Sequence, residues 1–121
     1  MIEMLKRHEI QVLRRAGHTW TEVAELTGVS VGTARRVAVA ETMTRINFRL
    51  RLGTFDLDFD DGEMRYRTGC DVEGGELTQH MVLTIVGNVC ASIDRYGPAL
   101  MRVMFGDATP EDAAAEILAD N

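Results

Sequence analysis

Residues 30–36 carry the side chains in this chain that are best suited to contact DNA. Arg35 and Arg36 are adjacent and could reach guanine edges or phosphates, and Gly32 would allow a close approach to a groove. They lie in the stretch TWTEVAELTGVSVGTARRV, residues 19–37, whose spacing is typical of a helix-turn-helix. The residues predicted to face DNA are Thr19, Ser30, Val31, Gly32, Thr33, Arg35 and Arg36.

Capping signals predict the two short helices that would position these residues. Thr19 and Glu22 have the spacing of a capping box, Gly28 supplies a turn, and Ser30 can cap the second helix. Residues 6–17, KRHEIQVLRRAG, predict a supporting helix before them. Short helical hairpins with a glycine turn also occur in helical bundles, where they have a structural role and do not contact DNA. The apolar positions that would pack the crossing are Val23, Ala24, Val29, Ala34 and Val37.

Residues 4–41 resemble the N-terminal helix-turn-helix of IstA-type insertion-sequence transposases and related resolvase-like regulators. The specific part is the GVS turn followed by T-x-R-R. This resemblance implies DNA binding only, because a chain of 121 residues has no room for the metal-dependent catalytic domain of those transposases.

Charge is distributed unevenly along the chain. Residues 1–51 contain nine Lys or Arg against five Asp or Glu, and residues 52–121 contain four against fourteen. A mildly basic first part suits phosphate contact, whereas the acidic remainder should point away from DNA or serve solubility. We therefore expect DNA as a partner of the N-terminal part and a possible protein partner for the acidic part.

Several other classes of function have no support in the sequence. The sequence shows no signal peptide and no apolar stretch long enough to span a bilayer, so a cytoplasmic location without membrane association is expected. Cys70 and Cys90 lack a C-x-x-C spacing and are expected to be buried free thiols. Scattered histidines predict no zinc site, and no motif indicates an enzyme or a cofactor.

Alternating residues predict a β-hairpin over residues 48–72. The apolar phase slips by one residue at Gly53-Thr54, which predicts a β-bulge, and Asp61-Gly62 predicts a two-residue turn. Counting outward from that turn pairs Asp56 with Arg67, and every charged pair is then of opposite sign. The full predicted ladder is Phe59 with Met64, Asp58 with Arg65, Leu57 with Tyr66, Asp56 with Arg67, Leu52 with Cys70, Arg51 with Asp71, Leu50 with Val72 and Arg49 with Glu73.

The alternating aspartates of DLDFDDGE, residues 56–63, also suggest a calcium loop. An EF-hand loop needs glycine at position six and glutamate at position twelve. From Asp56, however, glycine is seventh and Arg67 is twelfth. The hairpin explains these carboxylates better, so no metal is predicted.

Three helical segments are predicted after the hairpin. The first runs from Thr78 to about Tyr96 and ends at Gly97-Pro98, and a short helix follows. A last helix opens at Thr109-Pro110-Glu111-Asp112 and presents Ile117 and Leu118. The first of these helices is expected to bury one apolar face, formed by Val82, Ile85, Val86, Val89 and Ile93.

Residues 40–118 resemble the C-terminal half of the YbjN-like family of bacterial sensory transduction regulators, which are similar to type III secretion chaperones. The resemblance rests on RLGTFDLDFDDGEMRYRTGCDVEGGELT and on DRYGPALMRVMFGDATPEDAAAEI. It implies an interaction or regulatory domain without catalysis. The family's preceding helix and three strands are replaced here by the helix-turn-helix.

Together these features predict an α+β protein with a helix-turn-helix at residues 1–38 and a YbjN-like half domain at residues 39–121. A helix over residues 38–47 joins the two parts and could extend the recognition helix into one rod. The predicted function is a small DNA-binding regulator. Because a lone hairpin leaves two edges unpaired, a homodimer is predicted, formed through the hairpin edge or through the apolar C-terminal helices, and the C-terminal part is expected to serve dimerisation or partner sensing. The alternatives are a chaperone-like or antitoxin-like module that sequesters a protein, and a chimeric or fragmentary product without an evolved task.

Overall fold

The computed structural model describes residues 4–119, apart from the side chain at position 118, and shows an α+β fold. The predicted fold class is therefore confirmed. A two-stranded antiparallel hairpin packs against α3 and α4. The elements in chain order are α1 (Met4–Arg15), α2 (Trp20–Thr27), α3 (Val31–Asn47), β1 (Thr54–Leu57), β2 (Met64–Arg67), α4 (Gln79–Phe105) and α5 (Pro110–Ala119).

Helix α3 is the centre of the structure. It packs against α1, α2, α4, α5 and β1. All five helices contribute residues with no exposed surface, or almost none, to one core: Ile10, Val23, Val39, Val103 and Ala113. The recognition helix and the connecting helix are one continuous helix of 17 residues, as the predicted rod requires. The predicted division between residues 38 and 39 falls inside this helix and stays a prediction.

The hairpin register differs by two residues from the predicted one. Phe55 lies opposite Tyr66 and Asp56 opposite Arg65, and the ladder runs only from Thr54 with Arg67 to Leu57 with Met64. Side chains repeat every two residues along a strand, so a shift of two keeps every residue on its predicted face. Alternating charges therefore could not distinguish the two registers.

The turn between the strands is longer than the predicted two residues, and this accounts for the shift in register. Asp58 donates its backbone N–H to the carbonyl of Glu63 at 2.9 Å, and Gly62 donates to the carbonyl of Asp58 at 2.8 Å. The carboxylates of Asp58 and Asp61 accept from the N–H groups of Asp60 and Glu63, both at 2.8 Å. These local bonds favour a wide turn with Gly62 in the left-handed region, at φ 78°, over the predicted two-residue turn.

The predicted strand at 48–52 and its bulge are wrong. Helix α3 continues to Asn47, and its amide side chain then bonds the edge of β1: Nδ2 donates to the Phe55 carbonyl at 2.9 Å, and Oδ1 accepts from the Phe55 N–H at 2.8 Å. An asparagine side chain thus takes the place of a neighbouring strand. Gly53 adopts φ 74°, and the pairs predicted beyond it, from Leu52 with Cys70 to Arg49 with Glu73, do not form.

Helix α4 is longer than predicted, because it passes through Gly97-Pro98 and ends at Phe105. Thr78 caps it by accepting from the Met81 N–H at 3.1 Å, as the sequence indicates. Proline removes one backbone donor, but Ala99, Leu100 and Val103 beyond it are buried, and this packing outweighs the lost hydrogen bond. The predicted start of α5 is confirmed, and Ile117, which the sequence places on this helix, is buried. The side chain of Leu118 lies outside the described residues.

Candidate functional site

The helix-turn-helix has the local geometry that the sequence predicts. The Thr19 hydroxyl accepts from the Glu22 N–H at 3.2 Å, and a Glu22 carboxylate oxygen accepts from the Thr19 N–H at 3.3 Å. Gly28 adopts φ 78° and donates its N–H to the Ala24 carbonyl at 2.9 Å. Ser30 caps α3 by accepting from the Thr33 N–H at 3.1 Å. The two predicted helix starts and the turn at Gly28 are thus confirmed, although the second helix is the 17-residue α3 and not a short one.

The Glu22 carboxylate also accepts from the ring of His18, whose Nδ1 lies 3.0 Å from Oε2. This contact with His18, followed by the hydrogen bonds from Thr19, lowers the pKa of Glu22 below its ordinary value. The carboxylate is therefore held in its charged form at the start of α2, where the positive end of the helix dipole also favours it.

Not all of the predicted DNA-facing residues face solvent. Thr19, Ser30 and Gly32 are exposed, whereas Val31 and Thr33 are half-buried. The N-terminus of α3 therefore presents only small and uncharged groups. Arg35 and Arg36 would carry most of the affinity for DNA, but their guanidinium groups contact other parts of the protein.

Arg35 turns toward the protein interior. It is half-buried, its Nε has no hydrogen-bond partner, and its guanidinium carbon lies 6.0 Å from the centre of the Trp20 ring. Arg14 lies over the same ring at 4.0 Å, and burial lowers the pKa of its guanidinium. The expectation that Arg35 faces outward is therefore wrong, because the indole of Trp20 attracts both cations. Sequence reasoning missed this cluster, and the single tryptophan was its only signal.

Arg36 holds the hairpin turn. Its Nη1 donates to the carbonyl of Phe59 at 2.9 Å and to the carbonyl of Asp60 at 3.2 Å. Phe59 in turn lies under the guanidinium of Arg7, 5.8 Å from ring centre to the guanidinium carbon. The sequence places Arg36 on an exposed face, and in the structure the side chain is half-buried and bonded to the turn, because the turn packs onto α3.

This contact brings acidic residues to the recognition helix. The turn carries four exposed carboxylates, on Asp58, Asp60, Asp61 and Glu63. Carboxylates beside the predicted DNA-contacting surface would repel phosphates. The acidic turn therefore does not point away from this surface, although the sequence predicts that the acidic part of the chain does.

A second candidate surface is the outward side of the first half of α4. Residues 77–93 contain no Asp, Glu, Lys or Arg. On this side of the helix, exposed residues recur at three- and four-residue spacing, and we call the surface that they form the α4 apolar face. It consists of Val82, Leu83, Val86, Cys90 and Ile93.

The sequence predicts burial for most of this face, and the structure shows otherwise. Val82, Val86 and Ile93 are 41%, 54% and 45% exposed. Leu100 and Met104 continue the same side of the helix and are buried, where α4 packs against α5. The predicted apolar periodicity is therefore present, but among residues 4–119 no element covers the first half of this face.

Metal chemistry has no candidate here: across residues 4–119 no three His, Cys, Asp or Glu side chains come together in a way that could hold an ion. Cys70 and Cys90 are free and exposed, so their predicted burial is wrong. In the same part of the chain no helix combines the length and the hydropathy needed to cross a bilayer.

Comparison with known proteins gives one family. A family model described as "YbjN: Putative bacterial sensory transduction regulator" matches residues 5–102, which include α1–α3 as well as the hairpin and most of α4. No curated protein and no solved structure matches the chain. Nothing in these comparisons supports the resemblance to IstA-type transposases. Since the match covers most of the 121 residues, the chain belongs to the YbjN family.

Proposed function

We propose that this chain is a non-catalytic regulator that works by binding protein, and that its first partner is a second copy of itself. The observation that carries the proposal is the α4 apolar face. Exposed apolar patches rimmed by polar residues mark interaction sites in soluble proteins. Here the patch lies on one helix and continues a face that is already buried further along.

The charge of the chain favours a second copy as the occupant. Two copies that each carry a formal charge of −6 repel each other wherever acidic surfaces meet. Residues 77–93 form an uncharged stretch on which two copies could pack without that repulsion. Leu83, Val86, Cys90 and Ile93 also follow the alternating three- and four-residue spacing that lets two helices pair along a seam.

In this proposal the helix-turn-helix is a structural framework. Arg36 is used to hold the hairpin turn, and Arg35 packs toward Trp20. The turn places its carboxylates beside α3, so the surface that would face DNA is not basic. The acidic turn remains available to a basic protein partner, which fits the chaperone-like or antitoxin-like alternative.

The mass of the unmodified chain in solution tests this proposal. We expect light scattering over a dilution series to give twice 13.4 kDa at high concentration and a shift toward 13.4 kDa on dilution. Raising the salt concentration should not weaken the dimer, because the interface is apolar and salt screens the remaining repulsion. A mass of 13.4 kDa at every concentration would contradict the proposal.

DNA binding is the second candidate function, and the confirmed geometry of Thr19, Gly28 and Ser30 favours it. Gly32 offers a clean test, because it is exposed and an added Cβ would meet only the Ser30 hydroxyl, at 3.9 Å. If α3 enters a groove, Gly32→Glu should abolish a gel shift with random duplex DNA at low salt. If the parent gives no shift, or if Gly32→Glu binds equally well, the motif serves the fold alone.

A further inference from the structure

We infer that a cavity lined by four arginines binds a small organic anion. The cavity has a volume of about 510 Å³ and lies between the end of α3, the segment that follows it, α4 and α5. Arg45, Arg49, Arg51 and Arg95 surround it. Among the residues of 4–119 that line it, none is acidic. Arg49 and Arg51 bring positive charge to this cavity on a chain of net negative charge.

Two of the four arginines have protein partners. Arg45 donates to Glu41 at 3.0 Å and lies 3.5 Å from Glu111. Arg95 donates to the carbonyl of Ile117 at 3.5 Å and stacks near Tyr96, 5.6 Å from the ring centre. These contacts hold their guanidinium groups beside the cavity.

The other two arginines lack the partners that the sequence suggests. Arg49 and Arg51 are exposed, and neither forms an ion pair with any residue that the structure describes. Asp71 and Glu73 would face them in the predicted hairpin, but β2 ends at Arg67. Guanidinium groups bind carboxylate and phosphate through paired hydrogen bonds, so this wall is suited to an anionic group.

The rest of the lining determines what else the ligand contains. The remaining residues are apolar or aromatic: Ile46, Leu50, Tyr96, Ala114 and Ile117. Small-molecule sites typically occupy about 300–1,000 Å³ and combine an apolar lining with a few polar groups. The cavity therefore fits a phosphate or carboxylate joined to an apolar or aromatic body. Inorganic phosphate alone would leave the apolar part unfilled.

Calorimetric titration with phenyl phosphate tests this inference, with inorganic phosphate and benzyl alcohol as the anionic and aromatic halves of the probe. We expect saturable binding of phenyl phosphate that is tighter than that of either half and weakens as salt is added. The double variant Arg49→Gln/Arg51→Gln should weaken the binding of phenyl phosphate by about tenfold or more, because it removes charged hydrogen bonds to the phosphate group.

The matched control is Arg65→Gln/Arg67→Gln, which removes two exposed arginines from β2, outside the cavity lining. We expect this control to bind phenyl phosphate like the parent. Circular dichroism should show both variants folded, because Arg49 and Arg51 lie in the exposed segment after α3. Absence of saturable binding, equal loss in both double variants, or equal binding of benzyl alcohol would overturn the inference.

This inference does not rest on the proposed function. The α4 apolar face contributes no residue to the cavity lining. A chain that is monomeric but binds phenyl phosphate would contradict only the proposed function, and a dimer that ignores the probe would contradict only the cavity assignment.

Discussion

Arg36 in α3 donates a hydrogen bond to the backbone carbonyl of Phe59, 2.9 Å away in the hairpin turn. This contact joins the helix-turn-helix to the acidic hairpin, so that an arginine of the motif binds another part of the same chain. The arginine that appears in the sequence as a DNA contact is a tertiary contact in the structure. Its removal is therefore expected to affect stability first.

We expect Arg36→Ala to destabilise the fold by about 1 kcal/mol. Hydrogen bonds from charged groups contribute about 1.5–3 kcal/mol, and partial exposure reduces this value. Urea unfolding gives the free energy of unfolding for the variant and for Arg65→Ala, whose side chain is exposed on β2. Equal stability of the two variants would show that the turn does not depend on Arg36.

Asn47→Leu should destabilise the fold by about 2 kcal/mol, because it leaves the N–H and carbonyl of Phe55 without their partner at a part-buried site. Asn47→Asp keeps the acceptor for the N–H and loses the donor to the carbonyl, so it should lie between Asn47→Leu and the parent. Hydrogen exchange of the Phe55 amide provides a local measurement. Exchange that is as slow in Asn47→Leu as in the parent would rule out this contact.

Gly53→Ala should destabilise the fold more than Gly69→Ala does. At Gly53 a Cβ would overlap the hydroxyl of Tyr66 and lie 2.8 Å from the Arg67 carbonyl, on a backbone with φ 74°. At Gly69 nothing lies within 4 Å. We expect about 1–3 kcal/mol of destabilisation for the first and less than about 0.5 kcal/mol for the second, measured by thermal unfolding. Similar melting temperatures for the two variants would contradict the observed turn at Gly53.

His18→Ala should raise the pKa of Glu22, because the hydrogen bond from His18 is the largest cause of its lowering. A carboxyl whose pKa is lowered on folding adds stability above its unfolded pKa, and this contribution is lost as pH falls through the folded value. The variant should therefore lose less stability on acidification than the parent does. Carbon-13 titration of the Glu22 carboxyl measures the shift directly, and an unchanged pKa would rule out His18 as its cause.

Local signals in the sequence were sufficient for the helix starts. Thr19, Ser30 and Thr78 each bond a backbone N–H within three residues, so no distant contact is needed to place them. Gly28 likewise marks a left-handed turn at the position that the sequence indicates, whereas Gly62 adopts the left-handed region within a wider turn than the predicted one.

The errors arose where distant parts of the chain decide the structure. The hairpin register could not be determined from alternation, since Asp56 faces Arg65 or Arg67 equally well by charge, and in the structure it also forms an ion pair with Arg67. The orientation of Arg36 depends on a turn 23 residues away. Helix α4 continues past Pro98 because residues beyond it are buried against other helices.

The central claim, that copies of this chain meet through the α4 apolar face, is tested most directly by two matched substitutions. Leu83 and Leu26 are 62% and 61% exposed, but only Leu83 lies on that face. A glutamate at an apolar interface adds both an unpaired charge and repulsion between copies. Sedimentation equilibrium should show that Leu83→Glu weakens self-association by at least about tenfold and that Leu26→Glu leaves it unchanged. Equal self-association of both variants, or loss in Leu26→Glu alone, would contradict the claim.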